Sequence, residues 1–411
     1  MGFPSGGGGS GPPLVYNVVD YGADPTGTND SSAAFNSALA LNLPVWVPPG
    51  NYRILAGINM AQGQHLIGPS PSWSYGGSSE TANRARLFLD SGATVPMFSM
   101  ADTDGHMTIE NLFLDGAGVA QDIVHFPATS GFHDYFSDVK GCYFTNIGTG
   151  VYGLYGGNNT GSVYVSHCRF YQGTATGGNG VYFSTSSGFV INTLFNGFVG
   201  TGCYAAYNLG GYNNRYINCD FGVNNIGLRN DTQECLVLGC FFDRNNHEAI
   251  LVNGSGTQII GNQFHSNSQT TSGAAPDITL AGSLSDISIV GNYFGPLDGG
   301  IVNKTSYGYY VNTGTVVAAW GNILAPSSRT VGLTNWNSIQ TAPTVPASGT
   351  ALINPFSLPC MVYVNGGAVT AIAIRGTTVL PGDGVVQLGS QDSITLTYTT
   401  APTWVWSIMH D

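Results

Sequence analysis

The chain has little charge of either sign and very little positive charge. Only 11 of its 411 residues are Lys or Arg, and the formal net charge is −12 at pH 7. A nucleic-acid-binding protein needs a basic surface that neutralises phosphates, so no nucleic-acid partner is predicted. The sequence also lacks an apolar run of roughly 18 residues, so no membrane insertion is predicted. Disorder requires low hydrophobicity with high charge, whereas this chain is 42% hydrophobic and 8% charged, so a folded protein is expected.

The first 13 residues lack both the basic and the apolar segment of a secretory signal peptide and are rich in glycine. We predict a flexible tail over residues 1–13, which would serve as a linker or as a tether to a larger assembly. Neither interpretation supplies a folded element, so the predicted fold begins after this tail.

A short pattern recurs nine times in the middle of the chain: a strand-like run, then Asn, Cys or Thr, one variable residue and an aromatic residue. The first residues of successive copies are 31, 26, 25, 26, 21, 22, 30 and 30 positions apart. This repeat length is typical of a solenoid, and the period-two pattern favours a parallel β-helix over helical repeats or a propeller. The copies are Asn111–Phe113, Cys142–Phe144, Cys168–Phe170, Thr193–Phe195, Cys219–Phe221, Cys240–Phe242, Asn262–Phe264, Asn292–Phe294 and a decayed Asn322–Leu324.

Side chains alternate between the two faces of a strand, which predicts the inward face of each coil. The first residue and the aromatic residue of a copy share one parity and are expected to point inward, where stacked amides of neighbouring coils would satisfy any buried Asn. Four of the seven Cys occupy the first position, so free core thiols are favoured over disulfides. The aliphatic residues two positions earlier, predicted to point inward as well, are Ile109, Ile191, Ile217, Leu238, Ile260 and Val290.

The segments on either side of the repeats have other patterns. Apolar residues at helical spacing between Asp30 and Leu41 predict a short helix that caps the N-terminal end of the solenoid. After Pro355, alternating runs with Gly-rich turns predict a small β-sandwich, which needs further packing partners because its core is small. The predicted divisions are a tail over 1–13, a cap with the first strands over 14–60, a parallel β-helix over 61–325, a linker over 326–348, and a C-terminal β-sandwich for oligomerisation or glycan binding over 349–411.

The segment Val18–Leu39, which contains Asp20-Tyr-Gly-Ala-Asp-Pro-Thr-Gly27, and the segment Val45-Trp-Val-Pro-Pro-Gly-Asn-Tyr52 resemble the opening of the pectate-lyase-like superfamily. With the repeats, the resemblance covers about Val15 to Ala325. It looks most like phage tailspikes and secreted polysaccharide-degrading proteins. The resemblance implies an all-β fold, a right-handed parallel β-helix solenoid with an N-terminal capping helix and a small C-terminal β-sandwich. It also implies a homotrimer in an extracellular or virion-associated location.

The catalytic motifs of the polygalacturonase branch, Asn-Thr-Asp, Asp-Asp, Gly-His-Gly and Arg-Ile-Lys, are absent from the chain. No equivalent of the calcium-binding Asp clusters of pectate lyases stands out either. No cofactor and no metal site is therefore predicted, and the pairs Asp102 with Asp104 and Asn230 with Asp231 are only weak candidates for Ca²⁺. The superfamily includes hydrolases, lyases, epimerases and adhesins, so the resemblance leaves the chemistry open.

Outward charged residues beside the repeat positions are the candidates for catalysis. Asp220 and Asp243 belong to consecutive copies, and a coil spacing with two residues along a strand puts their Cα atoms about 8 Å apart. Two such carboxylates could flank a glycosidic bond as acid and base, in the inverting geometry, and Glu248 could replace either one. The structural alternative is that both carboxylates solvate the sheet or pair with Arg215 and Arg244.

A second catalytic candidate is the pair His167 and Arg169, which are expected to share one strand and one face. A β-eliminating lyase needs a base and a cation that neutralises the uronate carboxylate, and these residues could supply both. The alternative is again a solvated pair.

Aromatic rings in Gly-rich loops or bends can stack on the apolar faces of sugars, although loop packing and a subunit interface explain them equally well. Polar side chains on the outward face would add hydrogen bonds. The predicted substrate-binding residues are Trp73, Tyr75, Tyr152, Tyr155, Tyr207, Tyr212, Asn192, Asn218, Arg215 and His265.

Taken together, these patterns favour a polysaccharide-binding protein that degrades its ligand as a glycoside hydrolase or lyase of the tailspike depolymerase type. One alternative is a non-catalytic glycan-binding adhesin or receptor-binding tail protein, favoured by the missing family motifs. A structural surface or filament protein is the other alternative, favoured by the very low charge.

Overall fold

Strands account for nearly all the regular structure of the chain. A computed structural model describes residues 15–69, 83–100, 106–127, 133–157, 160–172, 177–184, 187–269, 275–282, 284–295, 309–311, 317–320, 322–324, 342–355, 360–389 and 391–408. Within these ranges it has one α-helix, Ser32–Leu39, and one 3-10 helix, Val18–Tyr21. None of the described helices is long and apolar enough to cross a membrane.

Three parallel sheets, called A, B and C, run along a solenoid, and a coil adds one strand to each in that order. The strands of sheet A are Tyr16–Asn17, Val45–Trp46, His65–Ile67, Thr108–Glu110, His133–Lys140, Thr160–Ser166, Ser187–Ile191, Arg215–Ile217, Leu236–Leu238, Gln258–Ile260, Ile287–Val290 and Val317–Trp320. Those of sheet B are Thr26–Asp30, Gly50–Ile54, Ala85–Leu89, Phe113–Asp115, Tyr143–Thr145, Arg169–Tyr171, Leu194–Asn196, Asp220–Gly222, Phe241–Asp243, Gln263–His265, Tyr293–Phe294 and Ile323–Leu324. Those of sheet C are Ile58–Met60, Phe98–Met100, Val124–Phe126, Tyr152–Gly156, Asn179–Phe183, Tyr204–Asn208, Ile226–Asn230, Ile250–Val252, Ile278–Leu280 and Tyr309–Val311. The predicted parallel β-helix is confirmed.

The aromatic residues of the repeat form one column inside the solenoid. Consecutive ring centroids are 4.2 to 5.2 Å apart, and the ring planes lie within 14° of parallel. This spacing follows from the stacking of one coil on the next, and it fills the core without gaps between coils. The column, which confirms the predicted stack, consists of Phe144, Phe170, Phe195, Phe221, Phe242, Phe264 and Phe294.

Buried amides form hydrogen-bonded ladders beside this column. The Asn262 side chain donates to Asn292 Oδ1 at 3.0 Å, and the Asn292 side chain donates to Asn322 Oδ1 at 3.0 Å. A second ladder runs from Asn245 to Asn267 at 2.8 Å. Each amide thus finds its partners in the next coil, as predicted. All seven cysteines are free and buried, as the sequence also predicts.

The first copy of the repeat is placed one residue too early by the sequence pattern. Leu112 and Leu114 are fully buried, whereas Asn111 and Phe113 are only half-buried, and Leu114 pairs with Phe144 of the next coil. The inward residues of this coil are therefore leucines. Asn111 occupies the corner between sheets A and B in the left-handed conformation, with φ of 59°.

That corner also makes the prediction for the preceding aliphatic residues wrong. Two residues separate the sheet A strand from the sheet B strand, and the first of them is left-handed, for example Asn192 with φ of 49° and Asn218 with φ of 51°. This residue reverses the inside–outside alternation, so parity cannot be carried across it. Ile109 is buried, but Ile191, Ile217, Leu238, Ile260 and Val290 lie half-buried on the outside, and the inward residues are Val190, Tyr216, Val237, Ile259 and Ile289.

The helix Ser32–Leu39 caps the N-terminal end of the solenoid, as predicted. Its buried Phe35 packs edge-on against Tyr52 with ring centroids 5.6 Å apart. Its Asn36 side chain accepts a hydrogen bond from the backbone N–H of Asn59, in the edge strand of sheet C, at 2.8 Å. The cap thus covers apolar core and also satisfies an edge donor that would otherwise be open to another chain.

The C-terminal residues form two antiparallel sheets around a separate core, which fits the predicted β-sandwich. Residues 342–348, which belong to the predicted linker, contribute to it: Trp404 Nε1 donates to Pro343 O and Tyr398 Oη donates to Pro346 O, both at 2.6 Å. The four-stranded sheet contains Ala351–Ile353, Ser393–Tyr398, Val369–Ile374 and Thr377–Leu380, and the three-stranded sheet contains Gly384–Leu388, Cys360–Asn365 and Thr403–Ile408.

Candidate functional site

Two rows of outward side chains cross sheet B, and the candidate site lies where their carboxylates meet. Because the strands are parallel and in register, the equivalent residues of consecutive coils lie side by side. The first row runs through Tyr143, Arg169, Leu194, Asp220, Phe241 and Gln263. The second row, two residues further along each strand, runs through Thr145, Tyr171, Asn196, Gly222, Asp243 and His265.

Asp220 and Asp243 are offset by one coil and two residues, which is the register predicted from the sequence. Asp220 pairs with Phe241, and Gly222 pairs with Asp243. Burial of Asp220, followed by the negative charge of Asp243, raises the pKa of the Asp220 carboxyl from 3.8 to about 6, while the positive charge of Arg169 opposes this shift. The raised pKa suits the Asp220 carboxyl to the role of general acid.

Gly222 leaves a gap beside the Asp220 and Asn196 side chains. A Cβ atom at Gly222 would lie 3.2 Å from Asn196 Nδ2 and 3.7 Å from Asp220 Oδ1, so this position borders both side chains. Gly222 is not among the glycines with positive φ, so its backbone does not itself require glycine. The absence of a side chain here leaves clearance for a ligand beside Asp220.

Arg169 supplies a positive charge to the first row, two coils before Asp220. Only 9% of the residue is exposed, and its guanidinium carbon lies 5.4 Å from the Tyr143 ring centroid and 5.5 Å from the Tyr171 ring centroid. Two rings hold the guanidinium in a cation–π arrangement, which fixes its direction. Its charge reaches Asp220, as the pKa of that carboxyl shows.

His265 extends the second row beyond Asp243, with which it pairs in register. Its ring lies 5.1 Å from the Phe241 ring and 5.9 Å from the Tyr293 ring, centroid to centroid. Arg244 Nε approaches Asp243 Oδ2 at 3.6 Å. Asp243 thus has a histidine in the next coil and a guanidinium beside it, groups that could orient a carboxylate.

Three predicted residues lie at the corner between sheets A and B instead of on sheet B. His167, Asn192 and Asn218 all have positive φ, of 53°, 49° and 51°. The prediction that His167 and Arg169 share a strand is wrong, because the strand begins at Arg169, after this turn. Asn tolerates the left-handed conformation better than other residues with a Cβ. A structural role therefore explains why Asn192 and Asn218 occupy this corner.

Glu248 and Arg215 lie away from the strands of the acid pair: Arg215 is on sheet A, and Glu248 precedes a strand of sheet C without belonging to it. Glu248 Oε1 accepts a hydrogen bond from Thr279 Oγ1 at 3.3 Å, and Thr279 belongs to sheet C. Arg215 lies on sheet A, over the Phe189 ring at 5.2 Å, and lines a cavity of about 500 Å³ with Glu234. The predicted convergence of Glu248 or Arg215 with Asp220 is therefore not found.

The predicted aromatic residues are also distributed away from the pair. Tyr152, Tyr155 and Tyr207 lie on strands of sheet C, so the prediction that they occupy loops or bends is wrong. Tyr212 is 61% exposed and precedes sheet A. Trp73 and Tyr75 lie outside the described residues.

Tyr143, Tyr171 and Asn196 belong to the site and were not found from the sequence. Each occupies the first or third position after the inward residue that begins its copy of the repeat, as Arg169, Asp220 and Asp243 do. Comparing those two positions across all copies, uncharged residues included, would have identified them. Among the described residues, no group of three or more His, Cys, Asp or Glu side chains is placed to hold a metal ion.

Comparison with known proteins gives both a family and a fold. A family model described as rhamnogalacturonase A/epimerase, pectate lyase-like, matches residues 15–273. No curated protein matches the sequence. The A-module of the mannuronan C-5 epimerase AlgE4 from Azotobacter vinelandii has a TM-score of 0.55 at 18% identity, over 76% of this chain and 96% of that chain. The enzymatically active domain of tailspike protein 2 from bacteriophage CBA120 has a TM-score of 0.58 at 14% identity, over 97% of this chain and 70% of that chain. At these identities the similarity shows a common fold.

Proposed function

Because the chain belongs to the rhamnogalacturonase A/epimerase, pectate lyase-like family, we propose that it binds a polysaccharide and hydrolyses it on the outward face of sheet B. The observation that carries the proposal is the offset of Asp220 and Asp243 by one coil and two residues, together with the raised pKa of Asp220. Hydrolysis of a glycosidic bond needs one protonated and one ionised carboxyl group on opposite sides of the bond.

In this proposal Asp220 is the general acid and Asp243 the general base. Asp220 gives its proton to the glycosidic oxygen as the bond between that oxygen and the anomeric carbon breaks. Asp243 takes a proton from a water molecule whose oxygen forms the new bond to the anomeric carbon. One coil and two residues correspond to about 8 Å between Cα atoms, which favours the inverting geometry with a water molecule beside the base.

The neighbouring residues have supporting roles. Arg169, held by the Tyr143 and Tyr171 rings, limits the rise in the Asp220 pKa and presents a cation to the substrate. Asn196 supplies an amide beside the gap at Gly222, where sugar hydroxyls would bind. His265, the register partner of Asp243 in the next coil, lies beside the second carboxylate. His167 and Glu248, as catalytic groups of a lyase or hydrolase, are weaker candidates, because they lie outside the two rows.

The test is product analysis with purified polysaccharides. The wild-type chain should release new reducing ends from at least one polymer, and NMR of the first products should show inversion at the anomeric carbon. Asp220→Asn and Asp243→Asn should each abolish release, whereas Asp138→Asn, in a carboxylate of sheet A, should not. Unsaturated products would contradict hydrolysis and indicate elimination. Wild-type activity in Asp220→Asn and Asp243→Asn, as in Asp138→Asn, would exclude this pair as the catalytic groups.

A second candidate is a non-catalytic glycan-binding protein, favoured by the absence of the polygalacturonase motifs from the sequence. This candidate would be supported over the hydrolase if the chain binds a polysaccharide without releasing any product and Asp220→Asn binds it with the same affinity.

The assembly and location are also proposals. We expect a homotrimer that acts outside the cell or on a virion, as the resemblance to tailspikes implies. Sedimentation equilibrium of the full chain tests the trimer: a mass of one or two chains at micromolar concentration would contradict it.

A further inference from the structure

Sheet A carries an uninterrupted row of aliphatic side chains on its outward face. The row follows the register of consecutive strands, in which each member pairs with the next. Five members give four coil spacings, so the row is about 19 Å long. We call it the aliphatic row, and it consists of Ile191, Ile217, Leu238, Ile260 and Val290.

The aliphatic row is a surface and not a second core. Inward side chains of the same strands, such as Val237 and Ile259, are fully buried, whereas every member of the row is half-buried. An outward residue of an in-register sheet has a neighbour about 4.8 Å away on each side, which accounts for this half-burial. Single apolar residues on a surface are ordinary, but a contiguous line of them marks an interaction site.

Neighbouring side chains make this apolar surface wider. Phe189 and Leu236 lie two positions before members of the row and are half-buried as well. Phe189 stacks on Tyr164 with ring centroids 4.8 Å apart. Arg215, between Phe189 and Leu236, lies over the Phe189 ring at 5.2 Å, and its Nε donates to Asn213 Oδ1 at 3.1 Å. The row therefore has an apolar border in which the cation is held against a ring.

The aliphatic row is a neutral part of a strongly acidic chain. The net charge of the chain is −12. The five strands that carry the row nevertheless contain no Asp or Glu, and Arg215 is their only charged residue. Copies of an acidic chain repel each other where their carboxylates meet, so a surface without carboxylates lets them associate at the least electrostatic cost. A strongly charged partner would find no complementary charge on this row.

The line of the row continues toward the N-terminal end of the sheet as polar residues. Ser166, Lys140 and Glu110 follow one another in register there. Glu110 Oε1 lies 3.5 Å from Lys140 Nζ, and Glu110 Oε2 lies 3.4 Å from His65 Nε2. These charges have partners within the chain. An apolar centre with polar groups at its margin is the usual composition of a protein interface.

The size of sheet A matches a partner of its own length. The sheet has 12 strands, so it is about 53 Å long, and most strands have three to five residues, so it is about 10–17 Å wide. Its outward face is on the order of 500–900 Å², close to the area of about 800 Å² that each partner buries in a stable interface. A partner must lie along the whole sheet to use that area, and a second solenoid does so.

We propose that the aliphatic row is the contact between copies of this chain, which lie side by side with their solenoid axes parallel. Leu238, the middle member of the row, lies on the ninth of the 12 strands. Parallel copies overlap along all 12 strands, whereas antiparallel copies centred on Leu238 overlap only from the sixth strand to the twelfth. Parallel copies are also related by rotation about one axis, so the assembly closes. The contact serves two copies as well as three, and it goes beyond the proposed hydrolysis.

The first experiment is sedimentation equilibrium of the full chain at micromolar concentration. The test variant is Leu238→Asp, whose carboxylates would face each other in parallel copies. The matched control is Leu251→Asp, the same change in a half-buried outward leucine of sheet C. The parent and the control should have the mass of an assembly. The test variant should lose at least 100-fold in association constant, because like charges then oppose each other across the contact. Circular dichroism of all three chains is the check on folding.

A second experiment tests the direction of the copies. Ile191→Cys places a thiol at one end of the row, where parallel copies bring it against its equivalent and antiparallel copies bring it against Val290. The seven cysteines of the chain itself are all buried. Oxidation by dioxygen with a copper catalyst should therefore join two Ile191→Cys chains through one disulfide, seen on a non-reducing gel, and should not join two Leu251→Cys chains.

Three results would overturn the proposal: a parent chain with the mass of one chain, an assembly that survives Leu238→Asp, or equal dissociation by Leu251→Asp. Absence of the cross-link in assembled Ile191→Cys would overturn the parallel arrangement, and the cross-link alone decides if Leu238→Asp does not fold. The proposed hydrolysis fails or succeeds independently. An assembly through the row that releases no product would remove the hydrolase and leave this contact in place.

Discussion

Sheets B and C are built from the same coils, yet they arrange carboxylates differently: sheet B brings two of them together in consecutive coils, although one of them, Asp243, also has Arg244 3.6 Å away. On sheet C the ionisable groups are tied to one another: Arg229 to Asp231, and His125 to Asp122. On sheet B, Asp220 and Asp243 are like charges in consecutive coils, and burial raises the pKa of Asp220. A carboxylate that is paired with a cation favours its ionised form. A carboxylate that is buried beside another one favours its protonated form, which a general acid needs.

The largest expected effect separates cleavage from binding. Asp220→Asn should lower kcat by about 100-fold or more, because a general acid contributes on that order, and should leave retention of the polysaccharide in affinity gels unchanged. Asp138→Asn, the control carboxylate of sheet A, should leave both properties unchanged. Initial rates of reducing-end release and affinity electrophoresis measure the two properties. If both variants impair both properties to the same degree, the two faces are not functionally distinct.

A narrower test replaces Gly222 by a larger residue, which fills the gap beside it and leaves both carboxylates in place. Gly222→Leu should lower kcat/KM by at least tenfold, because the side chain would occupy the space beside Asp220 and Asn196. The backbone of Gly222 does not require glycine, but Asn196 must shift by a few tenths of an ångström to admit a Cβ, so the melting temperature is compared with that of Gly222→Ala. Gly222→Ala, which adds only a Cβ, is the matched control and should retain most activity. Full activity in the leucine variant would place the substrate elsewhere.

The pH dependence of stability tests the arrangement of the acid pair. The pKa of Asp220 is raised from 3.8 to about 6 on folding, so the folded chain is favoured by this group below pH 3.8 and loses that contribution as the pH rises to about 6. Asp220→Asn should therefore stabilise the chain at pH 8 by about 1–2 kcal/mol, after allowance for screening, and not at pH 3.5. Urea unfolding at both pH values measures this difference.

The raised pKa of Asp220 also predicts how kcat depends on pH. Because Asp220 must be protonated to act as the acid, kcat should fall as the pH rises through about 6. Asp138→Asn, as the control carboxylate, should change neither the profile nor the stability difference between the two pH values. A stability gain that is equal at pH 3.5 and pH 8 would show that the Asp220 carboxyl is not perturbed.

The smallest expected effect concerns the corner that separates sheet A from sheet B. Asn218 has φ of 51°, so Asn218→Ala should cost about 1 kcal/mol, whereas Asn218→Gly should be nearly neutral. Neither change should alter kcat/KM if the residue only turns the chain. Urea unfolding and initial rates decide this point. A loss of activity in the stable glycine variant would restore Asn218 as a substrate contact.

The sequence was a good guide to the site where the repeat itself fixed the geometry. Asp220 and Asp243 each lie close after the inward residue of their copy, so their register was predictable from counting alone. His167 and Asn192 were misplaced because the left-handed corner before the strand cannot be read from alternation. The sheet C tyrosines were misassigned to loops, since their short strands are interrupted by glycine and resemble turns.

What the sequence determined by itself is the coil: its length, its inward aromatic and amide positions, and the helix that closes its first end, because burial imposes a strict period on those residues. What only the tertiary structure decided is which outward side chains meet. Asp220 meets Asp243, and Tyr155 meets Tyr182, through coils that are more than twenty residues apart in sequence. A left-handed corner residue sets which face each side chain takes, so the outward pattern depends on where every coil turns.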